Sequence, residues 1–123
     1  MIFYNTSPSP QGHYSSTVEH NGMIFISGQL SIDPLTGKVP EGGIEVETCQ
    51  ALKGVDEALK VAGLSRNDVI KCTVFTSDVA YWGAINRVYA DFFGSHKPAR
   101  SVVPVSALHH GCLVEIEAIA VRR

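Results

Sequence analysis

The sequence predicts an α+β fold in which two helices cover one face of a sheet. Three observations carry this. Alternating, β-branched segments occupy both ends of the chain, and two stretches between them switch to helical periodicity. The resulting order is strand, strand, helix, strand, helix, strand, strand, with enough helix for one face of a sheet and not both. The 123 residues fit a single domain, residues 1–123, without internal repeat or linker.

Ser7-Pro8-Ser9-Pro10-Gln11-Gly12 reads as an irregular approach. Ser16–His20 and Met23–Ile26 then flank Asn21-Gly22, a pair that accepts the positive φ angles of a tight hairpin. The second strand runs into Ser27-Gly28-Gln29, where glycine permits either a bulge or a close approach of another group. Asp33-Pro34-Leu35-Thr36-Gly37 is turn chemistry.

From about Ile44 to Ala62 one helical stripe gathers Thr48, Leu52, Val55, Leu59 and Ala62, with Cys49, Ala51 and Ala58 beside it. Lys53 with Glu57, and Asp56 with Lys60, stand four apart on the solvated side. Gly54 inside the helix implies close packing, and Gly63 a stop. Asp68–Thr76 reads as a strand. Asp78 can cap a second helix, whose stripe is Trp82, Ile85, Tyr89 and Phe92 and whose stop is Gly94. Pro98 forces an extended approach to Ala99–Val103, and Gly111 precedes a last strand, Cys112–Val121.

Composition narrows the function classes. Ten basic residues against twelve acidic ones give a net charge of -2, and the cations are scattered, which disfavours a phosphate-binding surface. No apolar run approaches the roughly 20 residues of a membrane helix, and the first residues lack a signal-like pattern. Three cysteines without a Cys-x-x-Cys pair argue against a disulfide framework or zinc site and fit a reducing, cytoplasmic setting, each as a small apolar filler.

In the last strand Val114, Ile116, Ala118 and Ala120 share the face that suits the helices. The other face carries Leu113, Glu115, Glu117, Ile119 and Val121. Two readings stand: a face partly covered by another subunit, with the carboxylates at a rim or cleft, or an ordinary solvent face with scattered apolar residues. Arg100 is a planar, permanently charged fork matched to a carboxylate or phosphate, but spacing alone favours a surface residue paired with an acidic neighbour.

These residues resemble the RidA group, the YjgF-type reactive intermediate deaminases also labelled endoribonuclease L-PSP or translation inhibitor proteins. The matching blocks are Ile26-Ser27-Gly28-Gln29, Asp33–Gly37, Val69–Phe75, Asn86-Arg87-Val88-Tyr89, Lys97-Pro98-Ala99-Arg100-Ser101 and Val114–Ala120. Pro98–Ser101, followed at the family's distance by Val114–Ala120, is the specific part. The resemblance implies a chorismate-mutase-like two-layer sandwich with a mostly antiparallel sheet. It also implies a homotrimer with inward-facing sheets and ligand sites between subunits.

The resemblance also implies roles. Arg100 matches the carboxylate-binding Arg and Glu115 the water-positioning Glu, the two catalytic candidates. Tyr14, Ser27, Gly28, Asn86 and Val102, the last through its backbone N–H, match substrate-binding positions. No metal and no cofactor is implied. The implied reaction is hydrolysis of enamine or imine intermediates, such as 2-aminoacrylate or 2-iminobutanoate, to 2-keto acids and ammonia. The chain departs from the common pattern at Val102, where many members carry Cys, and at His13, where many carry Pro. Leu108-His109-His110 also replaces a Leu-Pro pairing. These changes leave Arg100 and Glu115 in place and bear on substrate preference.

Plainer roles remain for each residue. Glu115 is also suited to an interface ion pair with Arg100, Glu117 to a structural role, and Tyr14 and Asn86 to packing and helix-surface positions. Trp82, Tyr89, Phe92 and Phe93 fit core positions at helical spacing, and adjacent His109 and His110 diverge too much for a metal site. Three function classes follow: the imine deaminase; a non-catalytic regulator or chaperone-like trimer that binds a small carboxylate; and an endoribonuclease, which the charge balance opposes.

Overall fold

The computed structural model describes residues 1–123. A short edge strand, β1 (Ile2–Tyr4), pairs with β2 (Thr17–His20), which turns back into β3 (Met23–Leu30). The turn is the Asn-Gly hairpin: Asn21 has φ 52° and Gly22 φ 77°, the left-handed values such a two-residue connection needs. Helix α1 (Ile44–Lys60) follows, then β4 (Val69–Thr76), α2 (Trp82–Phe93), β5 (Ala99–Pro104) and β6 (Val114–Val121). One six-stranded sheet results, in the order β1-β2-β3-β6-β4-β5. Only β4 and β5 pair in parallel, joined through α2.

Both helices lie on one face. Seventeen buried residues form the core, among them Leu52, Val55 and Leu59 of α1, Ile85 of α2, and Val114, Ile116, Ala118 and Ala120 of β6. Truncating a residue such as Leu52 to Ala would cost about 2–5 kcal/mol through lost transfer energy and a cavity. The parity read from the last strand is the observed one: its even-numbered residues are buried, and Leu113, Glu115, Ile119 and Val121 are half-buried on the other face. That face also carries Phe3, Val18, Phe25 and Ile119 in one cross-strand row, with Phe25 47% exposed.

Gly54 packs as its position implied. A Cβ there would stand 2.7 Å from Gln29 Oε1, so α1 rests directly on β3. The Asp33–Gly37 turn forms, with Asp33 Oδ1 accepting from the Leu35 N–H at 2.9 Å and Gly37 at φ 72°.

Five local expectations change. Residues Ile2–Tyr4 form a strand that no alternation announced, held by pairing to β2 and by the Tyr4 hydroxyl donating to Glu19 at 2.9 Å. Asp78 accepts from the Ala80 N–H, so it caps a short 3-10 turn, Val79–Tyr81, that leads into α2. Trp82 is 45% exposed because the first turn of α2 overhangs the core, and Cys49 is exposed because it lies off the α1 stripe. Asp56, expected on the solvated side, is half-buried and pairs with Arg66 at 2.6 Å, since Arg66 also donates to the Phe92 carbonyl and stacks on that ring at 3.8 Å. Lys60 turns to Glu57.

Candidate functional site

The sequence-predicted site residues fall into two groups on opposite faces of the sheet. Register decides this. Arg100 lies opposite Cys72 on β4, and Glu115 lies opposite Phe75 on the same strand. Cys72 is fully buried toward the helices, and Phe75, three residues on, faces the other way. One subunit therefore does not bring Arg100 and Glu115 together.

The first group sits between β5 and α2. The Arg100 Nη1 donates to Asn86 Oδ1 at 2.9 Å. Its guanidinium carbon stands 4.8 Å from the centre of the Tyr89 ring and 5.4 Å from that of Trp82. Such stacking is worth about 0.5–2 kcal/mol and fixes the plane of the fork. Trp82, Asn86 and Tyr89 are spaced four, three and seven apart, so one helix face presents all three. That spacing is legible in the sequence; Tyr89 does belong to the core, as its position implies, while Trp82 is exposed beside Arg100.

Of the five arginines, four close on a carboxylate: Arg66 on Asp56, Arg87 on Glu45, Arg122 on Glu19 and Arg123 on Asp68, at 2.6 to 2.9 Å. Arg100 alone has no such partner, which removes the surface ion pair as its explanation. It opens instead on a cleft of about 420 Å³ whose lining includes Asn86, Tyr89, His96, Lys97 and Pro98. Behind it, burial and the neighbouring Cys72 thiol push the Tyr89 phenol far above its ordinary range, and the phenol oxygen has no hydrogen-bond partner.

Val102 is half-buried against the core, two residues beyond Arg100 on the edge strand. The Val105 N–H donates to the Thr76 carbonyl on β4 at 2.8 Å. Amide directions alternate along a strand, so Val102 presents its N–H to the open edge, in line with Pro104, which has none to offer the ladder.

The second group lies on the face away from the helices. Glu115 is flanked across the sheet by Leu30 on β3 and Phe75 on β4. It is half-buried, and its side-chain carboxylate has no hydrogen-bond partner within the chain. Burial raises its carboxyl above the usual 4.5, the like charge of Glu117 adds to this, and His109 opposes it. Gly28 makes room for it: a Cβ at Gly28 would lie 2.5 Å from Glu115 Oε2. The β3–β6 register shifts between Ile26 and Gln29, so Gly28 provides a bulge and a close approach together.

Ser27 belongs with this group. Its hydroxyl donates to the Ser15 carbonyl at 2.7 Å, and its N–H donates to the Ser16 carbonyl at 3.1 Å, which ties the loop carrying Tyr14 to β3. Tyr14 is 55% exposed and its ring lies over Gly12, where a Cβ would stand 2.7 Å from Cε1. No three His, Cys, Asp or Glu side chains gather as a set of metal ligands.

The sequence-family model described as Endoribonuclease L-PSP matches residues 4–122. The chain belongs to this family. It is 45% identical over 120 residues to a RutC family protein of Pyrococcus horikoshii, covering 98% of this chain and 95% of that one. It is 43% identical over 122 residues to the 2-iminobutanoate/2-iminopropanoate deaminase of Mus musculus, covering 99% and 90% respectively. The solved structure of E. coli TdcF with bound serine superposes with a TM-score of 0.93 at 38% identity, covering 100% of each chain. Membership in the L-PSP family agrees with the RidA/YjgF resemblance and with the observed two-layer fold. No helix is long and apolar enough to cross a membrane.

Proposed function

We propose that this L-PSP family protein is a deaminase that hydrolyses small 2-imino acids, formed from 2-enamino acids, to 2-keto acids and ammonia. Its site would lie between copies of the chain, with Arg100 from one subunit and Glu115 from the next, in a homotrimer whose sheets face inward. The observation that carries the reading is the unpaired Arg100: a rigidly held cation over a cleft, the one arginine left for an external carboxylate. The deaminase name of a mouse relative at 43% identity supports the reaction class.

The chemistry follows from these residues. Arg100 would hold the substrate carboxylate by a charge-assisted, bidentate pair that sets orientation as well as charge. The Val102 N–H at the strand edge, with Ser27 and Gly28 across the seam, would add donors, and Tyr14 a wall. A protonated imine carbon is already electrophilic. Glu115 would take a proton from a water as its oxygen bonds to that carbon, giving a carbinolamine. The same carboxyl would return that proton to nitrogen, and as the C–N bond breaks and the C=O bond forms it would take the carbinolamine hydroxyl proton and pass it to the departing ammonia, so that each protonated imine and one water give one keto acid and one ammonium ion. A carboxyl raised above its ordinary range by burial suits both roles, and such help is typically worth roughly 10²–10⁴-fold.

A second reading, a ligand-binding regulator without turnover, is favoured by one observation: TdcF was solved with serine, an amino acid and not an imine. One assay separates the two. A PLP-dependent dehydratase generates 2-aminoacrylate or 2-iminobutanoate in situ, and keto-acid release is followed with and without the protein. The deaminase accelerates release, Arg100→Ala raises KM by about tenfold or more through loss of charged hydrogen bonds, and Glu115→Gln lowers kcat by about 10²-fold or more. Binding of serine or a keto acid without acceleration selects the regulator, and acceleration indifferent to Arg100→Ala refutes the mechanism.

A further inference from the structure

Glu47 is a buried carboxylate that plays no part in the chemistry above. It lies in the first turn of α1, 6% exposed, and no cation pairs with it. Its Oε1 accepts two hydrogen bonds: from the Ser31 hydroxyl at 2.7 Å and from the Leu113 N–H at 2.9 Å. Ser31 is fully buried and directly follows Leu30, the cross-strand partner of Glu115. Leu113 stands two residues before Glu115. A single oxygen therefore grips both strands where the β3–β6 ladder ends, beside the candidate base.

The Leu113 carbonyl is fixed as well. It accepts from the Thr76 hydroxyl at 3.1 Å and from the Ser77 N–H at 3.1 Å. Both backbone groups of Leu113 are thus pinned by elements outside the ladder. The gap over Gly28 is the reason this matters: Glu115 fits it with no room for a methyl group, so a small slip of β6 against β3 moves the carboxylate out of its slot.

We infer that Glu47 is a positioning residue for Glu115, holding the end of β6 in register with Gly28 so that the base meets its water at the right distance. This rests on the deaminase reading. A misplacement of about 1 Å costs roughly 10²-fold in rate. The Arg100 cradle is on the other face and on other elements, so substrate capture is left alone.

The test compares wild type, Glu47→Ala and Glu47→Gln in the coupled imine assay, with circular dichroism to show that each is folded. Glu47→Ala should lower kcat by about 10–10²-fold with KM within about twofold. Glu47→Gln keeps an Oε1 acceptor for both donors and should stay within about threefold of wild type. A second readout needs no turnover: the titration of Glu115 followed by carboxyl ¹³C NMR. Glu47→Ala should move its midpoint down, toward that of a solvated carboxylate. If Glu47→Ala does not fold, Ser31→Ala, which removes one of the two donors, should show the same shifts at smaller size. A Glu115 midpoint and kcat that are unmoved in the folded variant overturn the inference, as does an equal loss in Glu47→Gln. Absence of turnover in wild type overturns the deaminase reading instead, and the NMR midpoint then decides the role of Glu47 alone.

Discussion

If Arg100 and Glu115 act on one substrate, two impaired variants should rescue each other. The perturbation is to mix Arg100→Ala with Glu115→Gln, by co-expression or by joint unfolding and refolding. The magnitude follows from the sheet. Within a subunit the two residues lie opposite β4 positions 72 and 75, an odd spacing, and so face opposite sides. Every working site must then take its Arg from one copy and its Glu from a neighbour. In a cyclic oligomer assembled at random from equal amounts, half of the subunits supply an intact Arg and half an intact Glu. About one site in four is therefore complete, against almost none in either pure variant. The assay is keto-acid release from enzymatically generated imine, with the mixture compared against each parent at equal total subunit concentration. With substrate held well below KM, recovery to roughly a quarter of wild-type kcat/KM per subunit, above either parent, is the expected result. No recovery in a mixture shown by native mass spectrometry to contain hybrids would refute the two-subunit site.

Gly28→Ala should test the slot directly: the new methyl would lie 2.5 Å from Glu115 Oε2, and kcat should fall about 10–10²-fold while keto-acid binding at Arg100, followed by calorimetry, stays within about twofold. For Glu115 the sign of the pH effect is fixed by its raised carboxyl. The basic form is lost as pH falls through that value, so the acid limb of kcat/KM should lie above 4.5, and Glu117→Gln, which removes the like charge, should move the limb to lower pH. A third prediction concerns acid stability. The Arg122 guanidinium and the Tyr4 hydroxyl hold Glu19 at about 2 instead of 4.5. A carboxylate depressed by folding stabilises fully above its unfolded value and loses this as pH falls through the folded one, so urea midpoints should drop between about pH 4.5 and 2, and Glu19→Gln should flatten that drop.

The legible part of the fold was the part where local chemistry and burial agree. Asn21-Gly22 demanded a hairpin because few other pairs accept two positive φ angles, and the α1 stripe and the β6 alternation each had one buried side. What escaped lacked a periodic signal. Three residues cannot display alternation, and Ile2 and Phe3 are half or more exposed, so β1 is specified by its partner strand and the Tyr4–Glu19 bond. Trp82 continued an apolar stripe perfectly well; its exposure depends on where α2 begins relative to the end of the sheet, which is a tertiary quantity. The Arg66 fork similarly drew Asp56 out of solvent because three groups on two helices satisfy it together.

For the site, residue types were legible and sidedness was not. Strand parity around residues 100, 102 and 115 could be read from the sequence, and so could the need for space at Gly28. Whether Arg100 and Glu115 share a face depends on how each strand registers on β4, and β6 pairs antiparallel to β4 while β5 runs parallel to it. No local preference encodes that relation, since a shift of one residue reverses every side chain. Here register converts two plausible neighbours into residues on opposite faces. The face away from the helices combines a desolvated carboxylate with apolar residues such as Phe25 and Ile119. A solvent face gains nothing from a carboxylate raised by burial. Under the proposed two-subunit site, the apolar row would hold the next copy and the carboxylate would act on what that copy's arginine delivers.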